Sequence, residues 1–311
     1  MAPRARFYDR PYLLLVLTCL LWACNAVASR LAVGHISPGV ITCGRWAVVL
    51  ALVALIWRRE VERGWALVRP QQWAVLLMGA SLTGFNGLYY VAAHDTTAVN
   101  ISIIQGAVPV FVALGALVLH RTPLRMGQAA GLATALAGVL LVATRGDLSV
   151  LASMTFNQGD VLILMAAGLY AGFTLALRGR PGASSIAFFA GLAMGAFVSA
   201  LPMVGWEAAA GDLHWPTARG WTILVFAAVF PSLMAQMFFM RAVLLIGPGR
   251  AGPFINLSPV FGAMAAVLLI REPFAAYHAV ALGLVLAGIF LAERSALRGA
   301  SVGPASAPGP S

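Results

Sequence analysis

Long apolar runs alternate along this chain with short polar segments that carry most of its arginines. A helix needs about 20 consecutive apolar residues to cross a bilayer. That measure predicts spans at Tyr12–Leu31, Pro38–Trp57, Trp73–Ala93, Ala98–Leu119, Met126–Thr144, Val161–Leu177, Ser185–Gly205, Trp221–Val243, Ala251–Ile270 and Tyr277–Ala292. Many more apolar runs follow the first, so it reads as a retained helix rather than a cleaved signal. From Gly299 to Ser311 the chain turns to Gly, Pro, Ser and Ala, the composition of a disordered tail.

A longer period underlies the alternation. Pro109-Val110-Phe111 returns as Pro259-Val260-Phe261, Arg121-Thr122-Pro123 as Arg271-Glu272-Pro273, and Ala137-Gly138 as Ala287-Gly288, each displaced by 150 residues. Asn86 returns as Gln236 at the same displacement. Leu21-Trp22-Ala23 corresponds to Leu169-Tyr170-Ala171, and Arg30 to Arg178, at 148. Each copy holds five spans. Five is odd, so equivalent helices run in opposite directions, an arrangement common in secondary transporters. The expectation is an all-α integral membrane protein with ten transmembrane helices. They form two five-helix inverted-topology repeats, residues 12–144 and 161–292, around a central cavity.

Composition agrees with a lipid environment: 61% of the 311 residues are hydrophobic and 10% charged, against about a quarter charged in soluble domains. The net charge of +10 comes entirely from arginine, since the chain contains no lysine. With the N-terminus inside, the inner segments hold Arg4, Arg6, Arg10, Arg58, Arg59, Arg63, Arg69, Arg121, Arg125, Arg178, Arg180, Arg241, Arg250, Arg294 and Arg298. The outer ones hold Arg30, Arg145, Arg219 and Arg271. That asymmetry places both termini in the cytoplasm of a protein of the inner (plasma) membrane. No zinc-finger spacing or basic helix points to nucleic acid. Cys19, Cys24 and Cys43 fall in apolar runs without metal-ligand spacing. Neither cofactor nor metal is expected, and no phosphate-binding Gly-rich loop with Lys-Ser/Thr exists to use ATP.

Several motifs carry a resemblance: Leu21-Trp22-Ala23-Cys24-Asn25, Arg45-Trp46, Thr97-Ala98 followed by Pro109-Val110-Phe111, Gly159-Asp160, and Arg271-Glu272-Pro273. In this order and spacing, from about Tyr12 to Arg294, the chain resembles the drug/metabolite transporter superfamily and its EamA-type ten-helix members. The resemblance implies a cavity between the halves and export of amino acids, aromatic ones included, or of other small metabolites. One departure stands out. The family often carries an acid after span four, where this chain has His120-Arg121-Thr122-Pro123, while the second half keeps Glu272.

Polar side chains within spans usually face the protein interior. Helical spacing puts Trp22 with Asn25, Asn86 with Tyr89 and Tyr90, Ser102 with Gln105, and Tyr170 with Thr174. It also aligns Ser232, Gln236 and Met240, and Asn256 with Pro259. The expected cavity set is Trp22, Asn25, Asn86, Tyr89, Tyr90, Ser102, Gln105, Tyr170, Gln236, Met240 and Asn256. The alternative for any of them is tying helices together. Pro109 and Pro259 break their helices, as hinges or as fixed kinks. Arg45 lies seven residues past Pro38, about 10 Å into its span at 1.5 Å per residue. It could hold a substrate carboxylate, or snorkel and bond helix-end carbonyls; the structural role is the expectation. His94, His120 and His278 lie near span ends and are expected at the interface. No Asp or Glu sits mid-span, which argues against a proton-coupled antiporter of cationic drugs. Scattered histidines argue against a membrane-embedded enzyme. The expected activity is secondary transport, without ATP, of small neutral or zwitterionic metabolites. The partners are that solute and the lipid bilayer, and the chain acts as a homodimer or a monomer.

Overall fold

The computed structural model describes residues 7–121, 123–147, 156–179, 181–182, 184–246 and 252–300. Among them the regular structure is helical throughout. After a short turn at Phe7–Asp9 come α1 (Pro11–Ala32), α2 (Pro38–Val68), α3 (Gln72–Ala92), α4 (Ala98–Ile104), α5 (Val108–His120) and α6 (Met126–Ala143). Then follow α7 (Gln158–Ala176), α8 (Ser185–Ala210), α9 (Ala218–Ala227), α10 (Ala235–Ile246), α11 (Ser258–Ile270) and α12 (Ala276–Ala300). By length and composition, seven helical stretches of the described residues suffice to cross a membrane. The protein is an integral, multi-pass membrane protein.

The helix ends follow local chemistry. Pro11 and Pro38 open α1 and α2, where a missing N–H costs nothing. Thr97, Asn157, Ser184 and Thr217 each accept a hydrogen bond from a backbone N–H three residues on, capping α4, α7, α8 and α9. α2 continues past the predicted end of its span, but Trp57 leaves helical geometry (φ −121°, ψ 21°). The apolar span therefore ends there, and an arginine-rich segment continues to Val68. α8 runs to Ala210 and stops at the left-handed Gly211, bringing Glu207 into the helix beyond the predicted boundary. The tail expected from Gly299 is helical through Ala300; residues 301–311 lie outside the described residues, as do Arg4, Arg6, Arg180 and Arg250.

The 150-residue displacement is visible in detail. Arg121 and Arg271 both adopt left-handed backbone (φ 50° and 54°), and their N–H groups bond the carbonyls of Ala116 and Ala266. Pro109 cannot donate to the carbonyl of Gln105. Val108 N–H donates to it instead, and the segment Gln105–Ala107 tightens into a 3-10 turn between α4 and α5. Gly252–Leu257 forms the corresponding 3-10 stretch before α11 and Pro259. A third break was not expected from the sequence. Pro231 lies in a π-helical stretch, Ala228–Met234, between α9 and α10.

α2 and α3 pack on α8, α3 on α7, α1 on α10 and α11, and α6 on α12. Small residues allow the closest crossings. A Cβ added at Gly79 would stand 2.3 Å from the Leu192 carbonyl oxygen, and one at Gly195 would stand 2.4 Å from that of Leu76. One end of the bundle gathers the turns at 33–37, 93–97, 144–147, 211–217 and 271–275 and carries few arginines; we term it the arginine-poor end.

Candidate functional site

A cavity of about 180 Å³, open at a mouth, lies among α1, α2, α3, α7, α8, α10 and the three breaks in helical geometry. Of the residues expected there, Trp22, Asn25, Asn86, Tyr89, Gln105, Tyr170, Gln236 and Asn256 line it, with Pro109 and Pro259. Phe85, Phe173 and Phe189 add aromatic surface. Phe85 packs on Tyr89 and Tyr170 with ring centroids 5.6 and 5.1 Å apart, and Tyr170 on Phe173 at 5.7 Å. Among the described residues, no Asp or Glu lines it.

Three expected members stand behind the wall. Tyr90 is covered by the group it binds: its hydroxyl accepts from Arg45 and donates to Asn25 Oδ1 at 3.3 Å. Ser102 sits where α4 crosses α11. It donates to the Ala98 carbonyl oxygen, and a Cβ at Gly262 would lie 2.2 Å from its Oγ. Met240, a turn beyond Gln236, packs into the apolar cluster of Trp46, Val49 and Met237.

Arg45 is buried and bonds no backbone carbonyl among the described residues. It is 4% exposed, and its four hydrogen bonds all go to side chains. Nε and Nη2 donate to Ser232 Oγ (2.9 and 2.6 Å), and Nη1 donates to Asn86 Oδ1 (2.8 Å) and Tyr90 Oη (2.9 Å). The guanidinium also lies 5.9 Å from the Trp46 ring centroid and 5.7 Å from that of Tyr90. Both Arg45 and Trp46 line the cavity.

Pro231 explains how the second half reaches this cation. Its missing N–H frees the Ala227 carbonyl, to which Ser232 Oγ donates at 2.6 Å, fixing that hydroxyl as an acceptor toward Arg45. In the π-helical stretch Ala235 N–H bonds Phe230 O, so the Pro231 carbonyl is free to accept from Trp22 Nε1 at 3.1 Å. The sequence held a signal for this site: a proline next to a serine in the middle of a span.

The arginine-poor end is closed by polar contacts between the halves. Glu272 accepts hydrogen bonds from Ala98 N (3.0 Å) and Val99 N (2.9 Å) at the start of α4, with Arg30 Nε 3.9 Å away. Glu207 accepts from Ser37 Oγ (2.7 Å) and Gly39 N (2.6 Å) at the start of α2. Each carboxylate satisfies backbone donors that a helix start leaves unpaired and faces its positive dipole end. Thr96 donates to the buried Asp160, and Asn100 links toward it. His278, near the start of α12, is buried. It is 5% exposed, its Nδ1 accepts from Ala275 N, and Nε2 faces Asn100 Oδ1 at 3.2 Å. His94 is exposed, and the His120 side chain lies outside those described. Among the described residues no group of three or more His, Cys, Asp or Glu is placed to hold a metal ion.

Comparison with known proteins places this architecture. The model of the EamA-like transporter family matches residues 9–144 and again 157–294. The uncharacterized transporter YetK of Bacillus subtilis is 24% identical over 271 residues, 86% of this chain and 82% of its own. An uncharacterized transporter of Archaeoglobus fulgidus is 26% identical over 293 residues, 91% of this chain and 97% of its own. A solved crystal structure superposes with a TM-score of 0.62 at 20% identity, over 93% of this chain and 98% of that one, a likeness of fold.

Proposed function

Because this chain belongs to the EamA-like transporter family, we propose that this membrane transporter exports small neutral or zwitterionic metabolites, such as amino acids and aromatic ones in particular, by alternating access. The observation that carries the reading is the cavity wall. Among the described residues it joins aromatic surface (Phe85, Tyr89, Tyr170, Phe173) to amides (Asn25, Asn86, Gln105, Gln236, Asn256) without a carboxylate. A cationic drug would find no counter-charge there.

The proposed architecture is ten crossings in two inverted five-helix halves. The 55-residue stretch Pro38–Ala92 divides into two crossings at the 3-10 turn Arg69–Gln71, and the shorter apolar helices Phe254–Ile270 and Ala276–Ala292 add two more. The matched left-handed arginines, the matched 3-10 turns and the double family match support two related halves. Arginine placement orients the arginine-rich end toward the cytoplasm of the inner membrane. Glu272 and Glu207 clasp the arginine-poor end, which supports reading this conformation as one closed on that side. Exchange between two such conformations moves solute without ATP.

Trp22→Ala, Gln236→Ala and Asn256→Ala are each expected to lower solute flux into proteoliposomes at least about tenfold. Elution from size exclusion should stay unchanged. Uptake at wild-type rate by all three variants would refute the assignment of the cavity as the transport site.

A further inference from the structure

Arg45 is a buried guanidinium in a lipid-spanning helix, and among the described residues no carboxylate pairs with it. Its partners are neutral: a hydroxyl, a phenol and an amide. They account for four of its five N–H groups, leaving one on Nη2. Beside it, the Trp46 indole Nε1 is buried without a hydrogen-bond partner among the described residues. A buried charge without a counter-charge is costly, as is a buried donor without an acceptor. Both sit on the wall of one cavity. The wall thus carries a positive charge with one N–H still unused, and among the described residues it holds no carboxylate to neutralise that charge.

We infer that the cargo carries a carboxylate and that Arg45 binds it inside the cavity. The inference rests on the export reading above and narrows its substrate class. A carboxylate oxygen takes the remaining Nη2–H and neutralises the guanidinium, a charge-assisted contact well above a neutral hydrogen bond in strength. The four side-chain bonds hold the guanidinium plane in place from α3 and the π-helical stretch, so the cation is ordered before cargo arrives. The apolar body of the cargo then lies along Phe85, Tyr89, Tyr170 and Phe173. An ammonium group on the cargo meets amide, phenol and hydroxyl oxygens, since among the described residues the wall holds no acid. Selectivity therefore follows the carboxylate, and the amine is dispensable. Ser232 and Asn86 are positioning residues that act through Arg45.

The experiment compares three probes of one shape in proteoliposomes containing the full chain: phenylalanine, 3-phenylpropionate and phenylalaninamide. Counterflow is measured for each, with binding followed by tryptophan fluorescence. Wild-type protein is expected to move and bind the two carboxylates at least about tenfold better than the amide. Arg45→Gln should abolish that preference, and Arg45→Lys should restore part of it at the same elution volume. Equal handling of amide and acids by the wild type would overturn the role of Arg45 and leave the export reading standing. So would a folded Arg45→Gln protein that keeps the preference. If sealed wild-type vesicles move none of the probes and a broad metabolite panel also stays put, the export reading fails, and this inference with it.

Discussion

Gly288→Val is expected to remove nearly all folded protein from detergent extracts, read as loss of the monodisperse size-exclusion peak. The cause is a contact between two backbones. A Cβ at Gly288 would stand 2.4 Å from the Ala135 nitrogen and 2.5 Å from the Gly131 carbonyl oxygen. Across the same crossing, a Cβ at Gly131 would stand 2.5 Å from both Ala292 N and Gly288 O. Overpacking that flexible side chains can absorb costs about 1–3 kcal/mol. Here the opposing atoms are main chain, so relief requires α12 to move away from α6. Lipid tails are as apolar as the helix faces and give little drive to pull the helices back, so close van der Waals packing is what joins them. We therefore expect a loss beyond about 3 kcal/mol, a large part of the stability of an ordinary domain. Gly283→Ala in the same helix is the control, since a Cβ there meets nothing within 4 Å and the residue is exposed. A normal elution profile for Gly288→Val would show that the two helices are free to separate.

That crossing also shows how much the sequence reveals. Ala137-Gly138 and Ala287-Gly288 stand out as a repeat because two small residues recur at the same displacement as Pro109 and Pro259. In the structure Gly138 abuts the Ala281 carbonyl and Gly288 abuts Gly131, positions that correspond at 150 residues. Spans were legible because lipid imposes a length on each of them. Cavity residues were partly legible, since helical spacing shows which polar groups share a face. It does not show how deep they sit, and Met240 failed on depth. Ser102 failed because a hydroxyl that bonds its own helix can serve a crossing as well as a cavity. The partners of Arg45 were not legible for a different reason. Its acceptors come from α3 and from a serine 187 positions away, and that serine is aimed by a π-helical turn that hydrophobic periodicity does not register. Glu207 was missed because its helix continues past the apolar run that set the predicted boundary.

Glu272→Gln is expected to shift the protein toward a conformation open at the arginine-poor end. Glu272 reaches from the second half to the first and holds two N–H groups at the start of α4, with Arg30 beside it. Hydrogen bonds to a charged group contribute about 1.5–3 kcal/mol, and a negative charge at a helix start adds about 0.3–1 kcal/mol. Glutamine keeps one acceptor oxygen, turns an amide toward the donors and loses the charge. If the seal forms only while this end is closed, losing about 2 kcal/mol there changes the ratio of closed to open by roughly thirtyfold. The residue 150 positions earlier in the sequence is Thr122, which carries no charge, so the first half does not repeat this carboxylate. The measurement uses a variant with Cys19, Cys24 and Cys43 replaced by alanine and Leu82→Cys in the cavity wall, in sealed vesicles of known orientation. An impermeant maleimide applied at the arginine-poor face should label Glu272→Gln at least about tenfold faster than its parent, and labelling from the opposite face should fall. Rates unchanged from both faces would mean that Glu272 anchors a loop without setting which end is open.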